Sequence, residues 1–273
     1  MSCAFKLPLI ALVLNVTLAA VLCDGADTKT HTRKTYEKLF PIVDYWPVCF
    51  RNDPQLNRCL LNASDYIRPY LAKGVPELKI PPFEPLKLPQ IELKQGTDAL
   101  NFKATLKNVS IHGLTEYKFD KFEFDVPNHQ FFCTAKIANL VLEGDYLVTG
   151  RILIAPIEGK GKFSAEVDSC NVTVFQKYKM AALADKKVHL VPTITNTSIE
   201  VENPKIHLDG LFGNNKELAA ATNAAINDNV DVLFEELKPV VEATISEIME
   251  NLLIKSIINK IPYDELYPVS PNF

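Results

Sequence analysis

The sequence has no basic surplus: 29 Lys and Arg stand against 33 Asp and Glu, for a net charge of −4. Both signs are mixed along the chain, so it lacks the basic face that nucleic acid or an anionic membrane would demand. Past the N-terminus no segment offers 18 uninterrupted apolar residues, which leaves no candidate for stable membrane insertion by a helix. There is no clear internal repeat and no low-complexity block. No Ser sits in a Gly-x-Ser-x-Gly elbow. The five histidines, His31, His112, His129, His189 and His207, are scattered, and none pairs with another at metal-ligand spacing. Gly159-Lys160-Gly161-Lys162 lacks the Walker spacing and joins two strand patterns. These absences weigh against an enzyme, a metal site and a cofactor. What is present is ordinary for a globular chain of 273 residues, 47% of them hydrophobic and 23% charged.

Residues 1–23 read as a secretory signal peptide: Lys6, then an apolar run from Leu7 to Leu22, then small residues near Cys23 to Ala26. Cleavage is expected after Cys23 or Gly25. Residues 24–48 form an N-terminal extension, polar as far as Lys38 and then aromatic and Pro-broken. Residues 49–273 form one domain. Removal of the leader takes Cys3 and Cys23 away and leaves Cys49, Cys59, Cys133 and Cys170, an even number suited to an oxidising compartment. Four cysteines allow three pairings. The short loop favours Cys49–Cys59, which leaves Cys133–Cys170; the alternative is four buried thiols. Asn62, Asn108, Asn171 and Asn196 each begin an Asn-x-Ser/Thr triplet, so some are expected to carry glycans and to face solvent.

The final segment carries the longest apolar stripe. Ile226, Val230, Leu233, Leu237, Val241, Ile245, Ile248 and Leu252 recur at steps of three and four, the spacing of one helical face. A coiled coil and a terminal helical hairpin are the plain alternatives. Because the stripe stays in phase across Pro239, the expectation is a single bent helix. An earlier, shorter helix starts near Asp53-Pro54 and carries Leu56, Leu60, Ile67 and Leu71 before Gly74 stops it. Pro69 should bend it.

Prolines at 76, 81, 82, 85 and 89 then mark an extended connector through Gln90. Beyond it the period falls to two. Phe102, Ala104 and Leu106 alternate with polar residues, but the phase slips before Val109 and Ile111, and slips again between Phe119 and Phe122. Bulges produce such slips and bend a sheet. Strand patterns continue to Leu208 with Gly at the turns, so six to eight long strands should form an antiparallel sheet. A sheet bent that often must cover something apolar, and the terminal stripe is available.

Several segments, in order, resemble the takeout and haemolymph juvenile hormone binding protein family of insects. They are Cys49 with Arg51-Asn52-Asp53-Pro54 and Cys59-Leu60, then Gly74-Val75-Pro76-Glu77-Leu78 and Pro81-Pro82-Phe83-Glu84-Pro85. Ile111-His112-Gly113-Leu114 and Gly144-Asp145-Tyr146 follow, with the run from Ile152 to Gly161. Leu211-Phe212-Gly213, Asn227-Asp228-Asn229, Glu236-Leu237-Lys238-Pro239 and Ile261-Pro262-Tyr263-Asp264-Glu265-Leu266 complete the set. The resemblance implies an α+β fold in which a strongly curved antiparallel sheet wraps one long C-terminal helix. It also implies a hydrophobic tunnel for an apolar ligand and a short N-terminal helix acting as its gate. The chain departs from the family pattern at Val230, where many relatives carry Trp, and in its long stretch before Cys49. Nine residues separate its first two mature cysteines, Cys49 and Cys59, a spacing closer to takeout-like members.

The function expected is that of a secreted, monomeric, non-enzymatic carrier of a small hydrophobic ligand, a terpenoid or a fatty acid. Leu60, Ile67, Leu71, Leu233, Leu237, Val241 and Ile245 are the candidate walls, with ordinary core packing as their competing role. Tyr146 is the candidate hydroxyl for orienting a polar ligand end, against a buried structural tyrosine. Two other classes compete: a secreted interaction protein that signals to a cell-surface receptor without lipid, and a hydrolase of hormone-like esters.

Overall fold

The structure is a computed structural model that describes residues 47–96, 100–152, 155–213, 215–258 and 260–271. The expected leader and all but the end of the expected extension lie outside the described residues.

Seven strands form one antiparallel sheet: β1 (Leu86–Gly96), β2 (Leu100–His112), β3 (Lys118–Asp125), β4 (Gln130–Ile152), β5 (Ala155–Ala182), β6 (Val188–Glu202) and β7 (Lys205–Leu208). The order is β1-β2-β4-β5-β6, with β3 added to β4 and β7 to β5. β4 and β5 pair in one constant register from Gln130↔Lys177 to Ile152↔Ala155. Ribbons of that length would run about 75 Å if straight, so they must twist and curl to bury a face.

Both expected slips are present as register shifts, one between Lys107 and Ser110 on β2 and one between Phe119 and Lys121 on β3. At the first, Asn108 adopts a left-handed φ of 51°. A third change falls at Asn139, φ 54°, where the buried positions of β4 pass from odd (Phe131, Cys133, Ala135) to even (Leu140, Tyr146, Val148). The first strand begins at Leu86, inside the stretch expected to be a connector. Pro89 is accommodated because β1 is an edge strand.

Helix α1 spans Leu56–Lys73 and buries Leu56, Leu60, Ala63, Ile67 and Leu71. It starts slightly later than expected, because Asp53 Oδ1 accepts the Gln55 N–H at 2.7 Å and makes a turn before the helix. Gly74 ends it at φ 81°, and a Cβ there would meet Pro82 N at 2.7 Å and Ile80 O at 2.9 Å.

The terminal segment is α2 (Lys216–Asp228), α3 (Val230–Met249), a π-helical turn (Glu250–Ile254), α4 (Lys255–Ile258) and α5 (Tyr263–Leu266). The expected single helix is therefore interrupted, at Asn229 rather than at Pro239. Asn229 leaves helical geometry at φ −120°, and its Nδ2 donates to Ala225 O at 2.8 Å, closing the end of α2. Pro239 sits on the exposed side of α3, where water can take the carbonyl that its ring leaves unpaired.

Helices also cover the free strand edges with polar side chains. On α2, Asn223 bonds Leu208 N and Leu208 O at 2.8 and 2.9 Å, and Asn227 bonds Ile206 N and Ile206 O at 2.9 and 2.7 Å. On α3, Glu242 accepts from Ile199 N and Ser198 Oγ of β6, both at 2.9 Å. On α1, Asn57 accepts from Phe124 N of β3 at 3.0 Å. An uncovered edge is a template for another chain, and these contacts remove it.

One disulfide, Cys49–Cys59, is formed as expected. The expected Cys133–Cys170 bridge is not. Cys133 pairs with Val174 and Cys170 with Ile137, four positions further along β4, so the two lie about 13 Å apart. That exceeds the reach of a disulfide. Both are buried free thiols, and burial pushes the Cys170 thiol up to about 11 and Cys133 higher still.

Candidate functional site

The site follows from where α3 lies. It packs along β6 and β1, the two edges of the main sheet path, so it bridges the open side of a curved sheet instead of lying on its central strands. Apolar side chains therefore face each other from two sides. From the helix come Phe234, Val241 and Ile245; from the strands come Ile111, Leu142, Val172 and Val201, around a buried kernel of Leu140, Cys170 and Ile199. Most of these are half-buried. On α3 itself Leu233 alone among the described residues is buried, and the rest of the stripe through Ile248 keeps partial access. These half-buried apolar side chains form a long seam between helix and sheet.

The candidate wall residues divide among three clusters. Leu60, Ile67 and Leu71, each 0% exposed, pack at the α1 end with Tyr117, Phe122, Phe124 and Phe131. Leu233, Leu237 and Tyr146 belong to the opposite end, with Val109, Phe163 and Leu211. Val241 and Ile245 line the seam between them. The structure brings these residues onto successive lengths of one interior, not into one pocket.

Tyr146 is engaged already. Its hydroxyl donates to Asp209 O at 2.7 Å, and desolvation pushes its pKa up to about 12. It ties β4 to the turn before Leu211, which is the structural role weighed against ligand orientation.

The helix implied to be a gate is held from several sides. Tyr117 Oη donates to Ser64 O at 2.6 Å, Arg68 donates to Tyr117 O at 2.8 Å, and its guanidinium lies 4.7 Å from the Tyr117 ring centroid. The C-terminal tail closes the same end. Arg51 contacts Asp264 at 2.6 Å and Tyr267 O at 2.8 Å, Asn52 exchanges two hydrogen bonds with Ser270, and Tyr267 stacks on Phe124 at 4.5 Å.

Asn62, Asn108 and Asn196 are exposed and Asn171 is half-buried. A separate surface recess of about 600 Å³, lined by polar residues including Glu166, Asn203, His207 and Asp231, opens beside β7. No helix among the described residues is long and apolar enough to cross a membrane.

Sequence reasoning passed over Gln176. On β5 the inner face reads Cys170, Val172, Val174, Gln176, Tyr178, so a buried amide interrupts an apolar rail. The alternation carried that signal, but only once the inner face was assigned.

A model of the family described as haemolymph juvenile hormone binding protein matches residues 17–268. The chain is 24% identical over 217 residues to the circadian clock-controlled protein daywake of Drosophila melanogaster, across 77% of this chain and 83% of that one. It is 23% identical over 220 residues to the protein of the same name in Drosophila yakuba, across 78% and 84%. Among solved structures, Takeout 1 of Epiphyas postvittana superposes with a TM-score of 0.68 at 25% identity, covering 81% of this chain and 99% of that one.

Proposed function

We propose, since the chain belongs to the haemolymph juvenile hormone binding protein family, that it is a secreted, non-enzymatic carrier that sequesters a small hydrophobic molecule between α3 and the sheet. The observation that carries the reading is the half-buried stripe Leu237, Val241 and Ile245, set against equally half-buried Ile111, Leu142 and Val172. A filled core would have buried these side chains, as the α1 end does. The Takeout-like fold agrees, and so do the disulfide, the apolar leader and the four sequons.

The energetics are adequate. Burying a molecule of about fifteen carbons is worth some 10 kcal/mol gross. Association costs of at least ~4 kcal/mol leave at most about 6 kcal/mol, a Kd of some tens of micromolar from apolar burial alone. Native mass spectrometry of protein purified from its own tissue, followed by extraction, should yield a bound lipid. Protein that carries none, and from which neither terpenoids nor fatty acids displace an apolar fluorescent probe, would sink the reading.

A further inference from the structure

Four strands pair on one side only: β1, β3, β6 and β7. Three of those outer edges are bonded by helix side chains, β3 by Asn57, β6 by Glu242 and β7 by Asn223 and Asn227. β1 receives no such bond among the described residues, although α3 packs against it. Its own polar side chains turn to each other instead. Gln90 Nε2 donates to Glu92 Oε1 at 3.3 Å, and Lys94 Nζ lies 3.3 Å from Glu92 Oε2. A bare ladder edge beside three covered ones is a surface for another strand.

The sequence of β1 limits where that strand can lie. Pro89 has no N–H, so the usable edge is Gln90–Gly96, about 20 Å long. Along it Ile91 and Leu93 pack on the inner face against the cluster that holds Leu88 and Ala104. Gln90, Glu92 and Lys94 are exposed on the outer face. For an antiparallel strand of identical sequence, with both inner faces on one side, these side chains select the register. Pairing centred on Glu92 or on Lys94 opposes like charges. Pairing centred on Ile91 carries Pro89 into the ladder. Pairing centred on Leu93 sets each Glu92 against the partner's Lys94, while the two Leu93 side chains meet on the inner face and extend one apolar wall.

We propose that β1 pairs with β1 of a second copy, antiparallel and centred on Leu93, in a weak isologous dimer. So short a joint buries less than a permanent dimer does, so the association follows concentration. The chain expected to be a monomer is one when dilute. This pairing does not depend on the carrier reading.

Sedimentation of the whole protein, from micromolar to submillimolar concentration, should show a monomer passing into a dimer. Amide exchange along Gln90–Gly96 should slow over the same series. Lys94→Glu opposes carboxylates across the joint and Glu92→Lys opposes ammonium groups, so each alone should weaken dimerisation about tenfold. An equimolar mixture of the two variants sets unlike charges opposite again and should restore pairing, as should both substitutions in one chain. A protein that stays monomeric throughout, a dimer that both single variants leave unchanged, or a mixture no tighter than either variant alone would each overturn the pairing. The exchange readout needs only the wild type, and decides the matter should a variant fail to fold. Amides along Gln90–Gly96 that exchange as fast in the dimer as in the monomer would place the joint elsewhere and overturn it too.

Discussion

Two amphipathic helices of similar length, α1 and α3, meet the same sheet in opposite ways. α1 lies over β3 and a bed of aromatic rings, and its stripe is wholly buried at Leu60, Ile67 and Leu71. α3 spans the gap between β6 and β1, and most of its stripe keeps partial access. Helical periodicity is equally clear in both. The difference lies in what stands opposite: α1 rests on buried aromatic rings, whereas α3 runs along β6 and β1 with Phe234, Val241 and Ile245 on the small cluster Leu140, Cys170 and Ile199. Amphipathicity tells which face turns inward, and the partner's shape decides whether that face becomes core or wall.

Mutations should break this comparison open. The largest effect is expected at Ile67→Ala, where a cavity in the filled end should cost about 2–5 kcal/mol in denaturant unfolding. Val241→Ala on the seam should cost about 1 kcal/mol or less and instead weaken apolar-probe binding. Equal destabilisation by the two would mean that α3 is packed as tightly as α1. Next, replacing Cys49 and Cys59 together by Ala should lower stability by roughly 3 kcal/mol for a loop of this length, loosening the α1 end before the seam in hydrogen exchange. Loss of protection on α3 first would reverse the assignment of which end the bridge secures.

A smaller effect is expected from Glu242→Ala, which strands the Ile199 N–H and the Ser198 hydroxyl. The cost should be about 1–3 kcal/mol, with self-association through the bared β6 edge visible in sedimentation. A monomer of unchanged stability would show that α3 does not depend on this contact. The smallest lies at Asp185, whose carboxyl is held below its usual range chiefly by its hydrogen bond to His189, at 2.9 Å. A depressed folded pKa adds stability that is complete above the ordinary carboxylate range, about 4, and is lost as pH falls through the lower folded value. The melting-temperature gap between wild type and Asp185→Asn should therefore be open at pH 7 and close in acid. A gap independent of pH would remove the charge from the explanation.

The fold was legible where alternation and its failures carried the information. The slips before Val109 and Phe122 marked real bulges, because a one-residue slip exchanges buried and exposed faces and hydrophobicity records the exchange. The interruption at Asn229 was hidden for the same reason: Ile226, Val230 and Leu233 stay in helical phase across it, and backbone geometry leaves no trace in a periodic stripe. The Cys133–Cys170 bridge was misjudged because an even count fixes neither register nor distance, and both depend on how β4 and β5 align. For the site, the stripe from Leu233 to Ile245 was visible, but its half-burial was not, since that depends on the span between two strands distant in sequence.

The paired amides of Asn223 and Asn227 have a consequence for how α2 is placed. Four helical residues rise about 6 Å, while two strand residues advance about 6.6 Å. Asparagines four apart on a helix can therefore address backbone groups two apart on a strand, as they do at Leu208 and Ile206. The match works as a vernier: it aligns at this one setting, and a slip of one residue turns each amide by about 100° away from β7. The start of the terminal segment is thereby indexed to the sheet, so the starting point of α3, and with it the position of every side chain along the seam, is measured from a strand of only four residues.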